Sequence, residues 1–356
     1  MFKLSSKIDN VRAFAFDNQN NLMISTLKSV SSVTQNKIIL DVTTESLQWL
    51  YFKKPYFYIN DSHGNSYTID DNFIVKKIEG TIYSIFDGKL LFVKRENEIK
   101  KTLLIDIKTK DIIAEIPLSS PIFGIYQNLL YRKSPYQLLE LFSLKTSKLV
   151  WSYKSTQFGT YINWQNDEKD YEIIRFIGVW QNELLVACSN SLLLSLDIST
   201  GKILKKWQDL NGYYAEIKRF ANKIPPAENF ILDVVNSKLI SGHIMSITEI
   251  DLLTNKIEVF DLEQELKTYN INQLNSTNNN PFNAEHIYLT ATMDYKDNKN
   301  QWTYDCLLVV NRKTKKVDWQ YKFEDSSLGV NIPQLSENKL YQLDNDGNLF
   351  IFEKDK

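Results

Sequence analysis

Chemistry in a sequence is sought first in its histidines, cysteines and clustered carboxylates. The chain has three histidines and two cysteines. His63, His243 and His286 form no i, i+2 or i, i+4 pair, the spacings that set two imidazoles on one face of a strand or helix. They are expected as separate surface residues of loops or strands. Cys188 and Cys306 stand in the apolar runs VACSN and YDCLL, where reduced, strand-borne thiols are expected; a long-range disulfide is the alternative. Asp344-Asn345-Asp346-Gly347-Asn348 matches the first half of a calcium loop but lacks the distal Glu. It falls where a hairpin turn is required, and a turn is the expectation. There is no Gly-x-Ser-x-Gly elbow and no glycine-rich phosphate loop. The carboxylates show no spacing that would single out a glycosidase pair. Lys100-Lys101, Lys205-Lys206 and Lys313 to Lys316 sit at turns or strand ends and read as solvated edges. The residue types therefore assign no catalytic residue, no metal site and no cofactor.

Composition narrows the class. A net charge of −1 gives no overall field to recruit nucleic acid or an anionic membrane, and neither is expected as a partner. Aromatic residues make up 13% of the chain, which favours strands. MFKLSSKIDN at the start lacks the apolar core of a secretory signal, and no stretch approaches the roughly 20 apolar residues of a membrane helix. A cytoplasmic monomer is the expectation.

The elements that would position any site are repeats. LLLSLDISTGKILKKW, Leu192 to Trp207, reads as a strand, a tight turn at Asp197 to Gly201, and a second strand. Its counterparts open at Asp106, Ser143, Asp251 and Asn311, each with Thr three places on: Thr109, Thr146, Thr254 and Thr314. Lys148, Lys202, Lys256 and Lys316 follow two places after the Thr in four of the five. The spacing is that of a turn: Asp or Asn caps the backbone, Thr does so more weakly, and Gly or Asn then accepts positive φ. An upstream hairpin pattern recurs in step, as in IYSIFDGKLLFV, where Asp87-Gly88 is a strong two-residue turn signal. Two hairpins per repeat, at 40–50 residues, are the signature of four-stranded propeller blades.

Eight blades are expected, at 11–44, 47–78, 81–117, 121–153, 174–207, 229–262, 283–323 and 328–356, in a single domain of residues 1–356. A seven-bladed count stays open, because the first strand of the seventh unit has no clear position. The last unit lacks one strand, and Phe2–Ile8 lacks a partner. The N-terminal strand is therefore expected to complete the last blade and close the ring. The fold class is all-β.

The turn segment resembles the repeat of quinoprotein-type (PQQ-like) propellers, in which Asp-x-x-Thr-Gly-Lys is followed by Trp three places after the Lys. Trp151 and Trp319 stand at that place after Lys148 and Lys316, and the resemblance implies that each docks one blade on the next. Trp207 is two places late, and Val259 and Ala114 occupy the place in other units. The enzymes of that family hold a quinone and a calcium ion and carry an adjacent cysteine pair or another platform over the quinone. Cys188 and Cys306 are far apart, so the resemblance carries the architecture and not the cofactor.

The repeat is interrupted between blades at 154–173, 208–228 and 263–282, expected as three long loops side by side on one face. Long loops in a compact fold are usually functional or disordered. The first two are rich in aromatics, and Phe158, Tyr161, Trp164, Tyr213 and Tyr214 are the candidate binding residues, since large rings dominate interfaces. The first loop ends in Asp167, Glu168, Asp170 and Glu172, which suits a basic partner. The expected function is recognition of a protein by this face. One form it takes is an immunity protein that covers a toxin's active site. The competing expectation is an enzyme with its site at the central channel.

Overall fold

The structure is a computed structural model. It describes every residue except 18, 43–45, 54–55, 87–88, 97–98, 110, 116–122, 128, 134–137, 147, 164, 208–225, 276–279, 294–304, 325–326, 330 and 356. The chain is an all-β propeller of eight four-stranded antiparallel blades, each a meander. It divides into two compact units, which are described separately.

The first unit holds Met1–Leu118 and Gln334–Lys356. Blade one is Ala13–Phe16, Leu22–Ser25, Ser29–Ser32 and Lys37–Asp41; blade two is Leu47–Lys53, Tyr56–Asp61, Asn65–Ile69 and Val75–Glu79; blade three is Thr81–Phe86, Lys89–Glu96, Ile99–Asp106 and Ile112–Glu115. Asp87-Gly88 lies outside the described residues, but the strands it joins pair Phe86 with Lys89. Blade eight is built from Gln334–Ser336, Lys339–Leu343 and Leu349–Lys354, with Phe2–Ile8 hydrogen-bonded to the last of these. The N-terminal strand thus supplies the fourth strand of the final blade, as expected. Three Asp-x-x-x-Asn turns fasten hairpins in this unit. Asp344 Oδ1 accepts from the backbone of Asp346 and Asn348, while its other oxygen accepts from the Asn348 amide. Asp61 with Asn65 and Asp17 with Asn21 repeat the arrangement. The would-be calcium loop is therefore a hairpin turn whose carboxylate accepts from three N–H donors.

The second unit holds Ser119–Pro333. Blade four is Phe123–Tyr126, Leu129–Lys133, Leu138–Ser143 and Lys148–Lys154; blade five is Ile173–Trp180, Glu183–Cys188, Leu193–Asp197 and Ile203–Trp207. Blade six is Ile231–Asp233, Lys238–His243, Ser246–Asp251 and Ile257–Asp261; blade seven is Ile271–Leu274, His286–Met293, Cys306–Asn311 and Val317–Lys322. The first strand of blade seven corrects the sequence reading, which left 263–282 as a loop and began the unit at 283. That stretch instead forms a short helix, Glu263–Thr268, and the strand Ile271–Leu274. A bulge between Ile271 and Gln273 shifts the register, so the two buried residues stand three apart and the alternation of a strand is lost.

Blades pack face to face through apolar clusters. Leu139 and Leu141 of blade four meet Leu184, Val186 and Leu194 of blade five. Trp180, Trp207 and Leu193 meet Leu239 and Ile250 of blade six. Ile240 and Ile247 meet Leu289 and Leu308 of blade seven. Cys188 and Cys306 are buried, free thiols in these layers, and burial raises each to about 12.

The Asp-x-x-Thr turns have the expected geometry. Asp197 Oδ1 accepts from the backbone N–H of Ser199 at 3.0 Å and Thr200 at 2.8 Å. Asp251, Asp106 and Asn311 cap their turns in the same way. The following residue is left-handed: Gly201 at φ +72°, Asn255 at +61° and Lys315 at +57°. The turns of blades five and six are also where the preceding blade docks. The Trp151 indole N–H donates to the carbonyl of Ile198 at 3.0 Å. Lys205, at the same place in blade five, donates to the carbonyl of Leu252 at 2.9 Å. One register position thus makes one contact with two different chemistries. Blade seven grips blade six differently: Arg312 Nη2 lies 2.6 Å from Asp233 Oδ2, and Lys315 and Lys238 both bind Glu249, which is buried. Burial opposes ionisation of Glu249, but the hydrogen bonds from Lys238 and Lys315 hold its carboxyl below the ordinary value.

Candidate protein-binding surface

Antiparallel meanders give every blade two ends. One carries the Asp-x-x-Thr turns, and the other carries the links from one blade to the next. The link from blade four to blade five is the most elaborated part of the described structure. It begins with a 3₁₀ turn, Ser155–Phe158. Residues three apart eclipse in a 3₁₀ helix, so Ser155 and Phe158 both face inward and are buried. Phe158 stacks on Tyr153 with ring centroids 5.3 Å apart, and Lys206 Nζ donates to its carbonyl at 3.0 Å. Phe158 was expected on the binding surface. It is a core residue instead, because the 3₁₀ turn points it at the blade.

Gly159, at φ +104°, turns the chain outward. A two-stranded ribbon follows, Thr160–Ile162 paired with Glu168–Asp170. Strand alternation sends Tyr161 toward the blade, where it is half-buried with its ring 5.1 Å from that of Tyr171. Thr160 and Ile162 face outward; Ile162 is 61% exposed, and Thr160 Oγ1 donates to Glu168 Oε1 at 2.7 Å. At the tip, Asn163 Oδ1 accepts from the backbone of Gln165 and Asp167. Trp164, at this tip, lies outside the described residues. The base is fixed by reciprocal bonds between Glu172 and Ser189 and by Lys133, whose Nζ donates to the Ile173 carbonyl at 3.1 Å.

Asp167, Glu168 and Asp170 on this ribbon and Glu172 at its base are all exposed. Lys169 lies 3.5 Å from Asp167 and Lys133 3.6 Å from Glu172, which leaves an acidic excess along the projecting edge. The second link, 208–228, carries Tyr213 and Tyr214, which lie outside the described residues together with Phe220. Its described end is a 3₁₀ turn, Ala227–Asn229. Arg175 of blade five holds that turn by donating to the carbonyls of Glu228 at 2.6 Å and Phe230 at 3.1 Å. The third link is the helix Glu263–Thr268, which leads directly into a strand, so three equivalent long loops do not occur. Of the Asn-rich stretch 275–283, residues 276–279 lie outside the described residues; Asn275 and residues 280–283 stand between the first two strands of blade seven, at the turn end.

The histidines are dispersed. His63 lies in an exposed turn, and His286 Nε2 is 3.0 Å from Asp318 Oδ2. His243, expected at the surface, is buried at the end of the second strand of blade six, and burial lowers it to about 4. The strand that ends in it, Lys238–His243, is buried on both faces, which the mixed run KLISGH does not reveal. Among the described residues, no three of His, Cys, Asp and Glu are grouped to hold a metal. No described helix is long and apolar enough to cross a membrane.

No family model matches the chain, and no curated protein matches it. Solved structures do. The chain is similar to the C-terminal WD40 domain of Sif2 at TM-score 0.64 and 10% identity, over 100% of this chain and 99% of that one. It is similar to Saccharomyces cerevisiae Sqt1 at TM-score 0.61 and 11% identity, over 100% and 98%. BamB from Moraxella catarrhalis aligns at TM-score 0.59 and 10% identity, over 99% and 98%. These likenesses show the propeller fold.

Proposed function

We propose that the chain is a non-catalytic propeller domain that binds a protein through the link end of blades four to six. The observation that carries this reading is the ribbon Thr160–Asp170. It is not part of any blade, yet it is pinned at its base and built to project. It presents an apolar residue, Ile162, beside a row of acids, and the blade fold has no need of either. A basic protein surface complements it. Trp164, Tyr213 and Tyr214 are the proposed ring anchors, with Tyr161 supporting the ribbon from below. WD40-type architecture among the structural neighbours supports a scaffold role. An immunity-type role, in which the ribbon covers a toxin's active site, is the specific version we favour. The repeat register is that of quinoprotein-type propellers, as the docking of Trp151 supports, without the quinone.

The test is affinity capture with the full chain, followed by titration of the purified partner. Trp164→Ala should weaken binding by about 2 kcal/mol, roughly thirtyfold, with an unchanged melting temperature. Glu168→Lys with Asp170→Lys should lower the association rate and remove its salt dependence. A captured partner whose affinity is indifferent to all these changes would end the proposal. An enzyme with its site at the central channel is the second class.

A further inference from the structure

The ribbon between blades four and five has two open edges. Its strands, Thr160–Ile162 and Glu168–Asp170, form a separate two-stranded sheet. The Asn163 N–H donates to the Asp167 carbonyl at 2.9 Å, and the Tyr171 N–H donates to the Gly159 carbonyl at 3.2 Å. Tyr161 pairs with Lys169 between them. Hydrogen-bonded and non-hydrogen-bonded pairs alternate along an antiparallel ladder. The N–H and C=O groups of Thr160 and Ile162 therefore point away from the partner strand, and those of Glu168 and Asp170 point away on the other side. Such a row of backbone groups is a template for a further strand.

The two edges are not equivalent. Charged side chains are a common device against edge pairing. Glu168-Lys169-Asp170 carries one at every position. The last strand of each blade's meander follows the same rule, since each contains at least one Lys, Asp or Glu. Thr160-Tyr161-Ile162 contains none. It consists of two β-branched residues and an aromatic, the types that favour strands, and Thr160 and Ile162 are exposed.

Alternation along the strands says what an added strand would meet. Thr160, Ile162, Glu168 and Asp170 share the outward face, and Tyr161 and Lys169 share the inward one. The outward face thus holds one exposed aliphatic group and two carboxylates, with no cation among its described residues. Lys169 lies 3.5 Å from Asp167. The other lysines of this link stand at its foot. Lys154 ends blade four, Lys133 reaches Glu172 and the Ile173 carbonyl, and Lys206 reaches the Phe158 carbonyl. An incoming strand sets one residue opposite Ile162 and its next outward residue opposite Thr160. From there a long cationic side chain extends across the ribbon toward Glu168 and Asp170.

We propose that the protein partner adds a strand to the Thr160–Ile162 edge, with an apolar residue opposite Ile162 and a Lys or Arg opposite Thr160. Strand addition takes its affinity from main-chain bonds and its specificity from alternate side chains. This use of the ribbon rests on the protein-binding reading above. A helical or folded basic surface would engage the acids but leave the outward backbone groups of Thr160 and Ile162 unpaired.

The probe is a fluorescein-labelled synthetic peptide, Val-Thr-Lys-Thr-Val-Thr-Lys, titrated with the full chain and read by anisotropy. Its Val and Lys residues share one face and present their N–H groups to one edge. Saturable binding is the expected result. Nα-methylation of the Val and Lys residues blocks that edge and leaves the protein untouched; it should weaken binding by at least about tenfold, the scale of two lost hydrogen bonds. In the protein, Thr160→Pro removes an N–H that the ribbon does not use, at a place where an edge strand accepts proline. It should bind the peptide roughly fivefold more weakly than Thr160→Ala, which loses the same hydroxyl but keeps the N–H. Absence of saturable binding would overturn the proposal, while a captured partner that still responds to Trp164→Ala would keep the broader reading. Binding indifferent to methylation and to Thr160→Pro would also overturn it. If that indifferent binding is abolished by Glu168→Lys with Asp170→Lys, the ribbon recognises its partner by charge and only strand addition fails. A chain that light scattering shows to be a dimer, and that Thr160→Pro returns to a monomer, would overturn it as well, because a second copy would then fill the edge.

Discussion

Gly201 and Trp151 offer the sharpest test of how the blades are locked together. Gly201 follows Thr200 in the turn of blade five with φ +72°, and a Cβ built there would lie 2.9 Å from Cδ2 and Cε3 of Trp151. The indole cannot swing away without losing its 3.0 Å bond to the Ile198 carbonyl. The left-handed backbone alone does not demand glycine, because Asn255 and Lys315 hold the equivalent position at φ +61° and +57°. Glycine is required at 201 because a Trp lies on it. Gly201→Asn keeps the backbone conformation at little cost, so its penalty is overpacking against the ring, about 1–3 kcal/mol. Trp151→Ala alone should cost about 3 kcal/mol, the low end for emptying a Trp site, since the ring is half-buried. In the Trp151→Ala background, Gly201→Asn should cost close to nothing. The coupling energy of the cycle is then the whole overpacking penalty, about 1–3 kcal/mol. The assay is thermal or urea unfolding of the four chains, where each kcal/mol moves the melting temperature by about 2–4 °C in a unit of this size. Equal costs of Gly201→Asn in both backgrounds would refute the argument, since the penalty would then be backbone strain and not the docked indole.

Three further outcomes follow from the same docking surfaces. Lys205→Met keeps the stem but loses the bonds to the Leu252 carbonyl and to Glu183, so it should destabilise by about 2 kcal/mol, read as a lower urea midpoint at unchanged slope. Glu249→Gln removes the charge that Lys238 and Lys315 share and leaves Lys315 largely buried without its counter-ion; breaking such a pair costs about 3–5 kcal/mol, and a cost below about 1 kcal/mol would show that the pair contributes nothing net. His243 has its folded-state value lowered to about 4 by burial, against roughly 6.5 in the unfolded chain. The folded protein therefore binds fewer protons between those values. The stability is fully present above pH 6.5 and falls by about 3 kcal/mol as the pH drops to 4. His243→Gln should flatten that part of the pH profile, and an unchanged profile would disprove the assignment.

The architecture was legible because it rests on local rules repeated many times. A cap and a Thr at fixed spacing define the outer turn through backbone bonds that need no distant partner, so Asp106, Asp197, Asp251 and Asn311 all behave alike. The unpaired Phe2–Ile8 was legible for a related reason: a three-stranded last unit implies a missing strand. The first strand of blade seven was not legible. It is four residues long, and its bulge puts Ile271 and Leu274 on the core side at a spacing that mimics a helix. Phe158 was misplaced because aromatic content does not say which way a ring points; only the 3₁₀ turn, a property of the folded link, decides that.

The docking position after each turn shows where sequence pattern and physical role part company. Trp151 was recognised because it matches a motif, whereas Lys205 was set aside as half of a solvated Lys-Lys pair. Yet both reach the same backbone carbonyl of the next blade's turn. In blades four and five the contact is made by a long side chain with an N–H donor at its end, an indole in one and an ammonium in the other, whereas Val259 and Ala114 hold the place in other units. The choice then propagates. An indole covers the turn and crowds a side chain at 201, while an ammonium leaves room for Asn255. Lys205→Trp should therefore crowd Asn255 as a side chain at 201 crowds Trp151, and a urea midpoint higher than that of Lys205→Met would refute the equivalence.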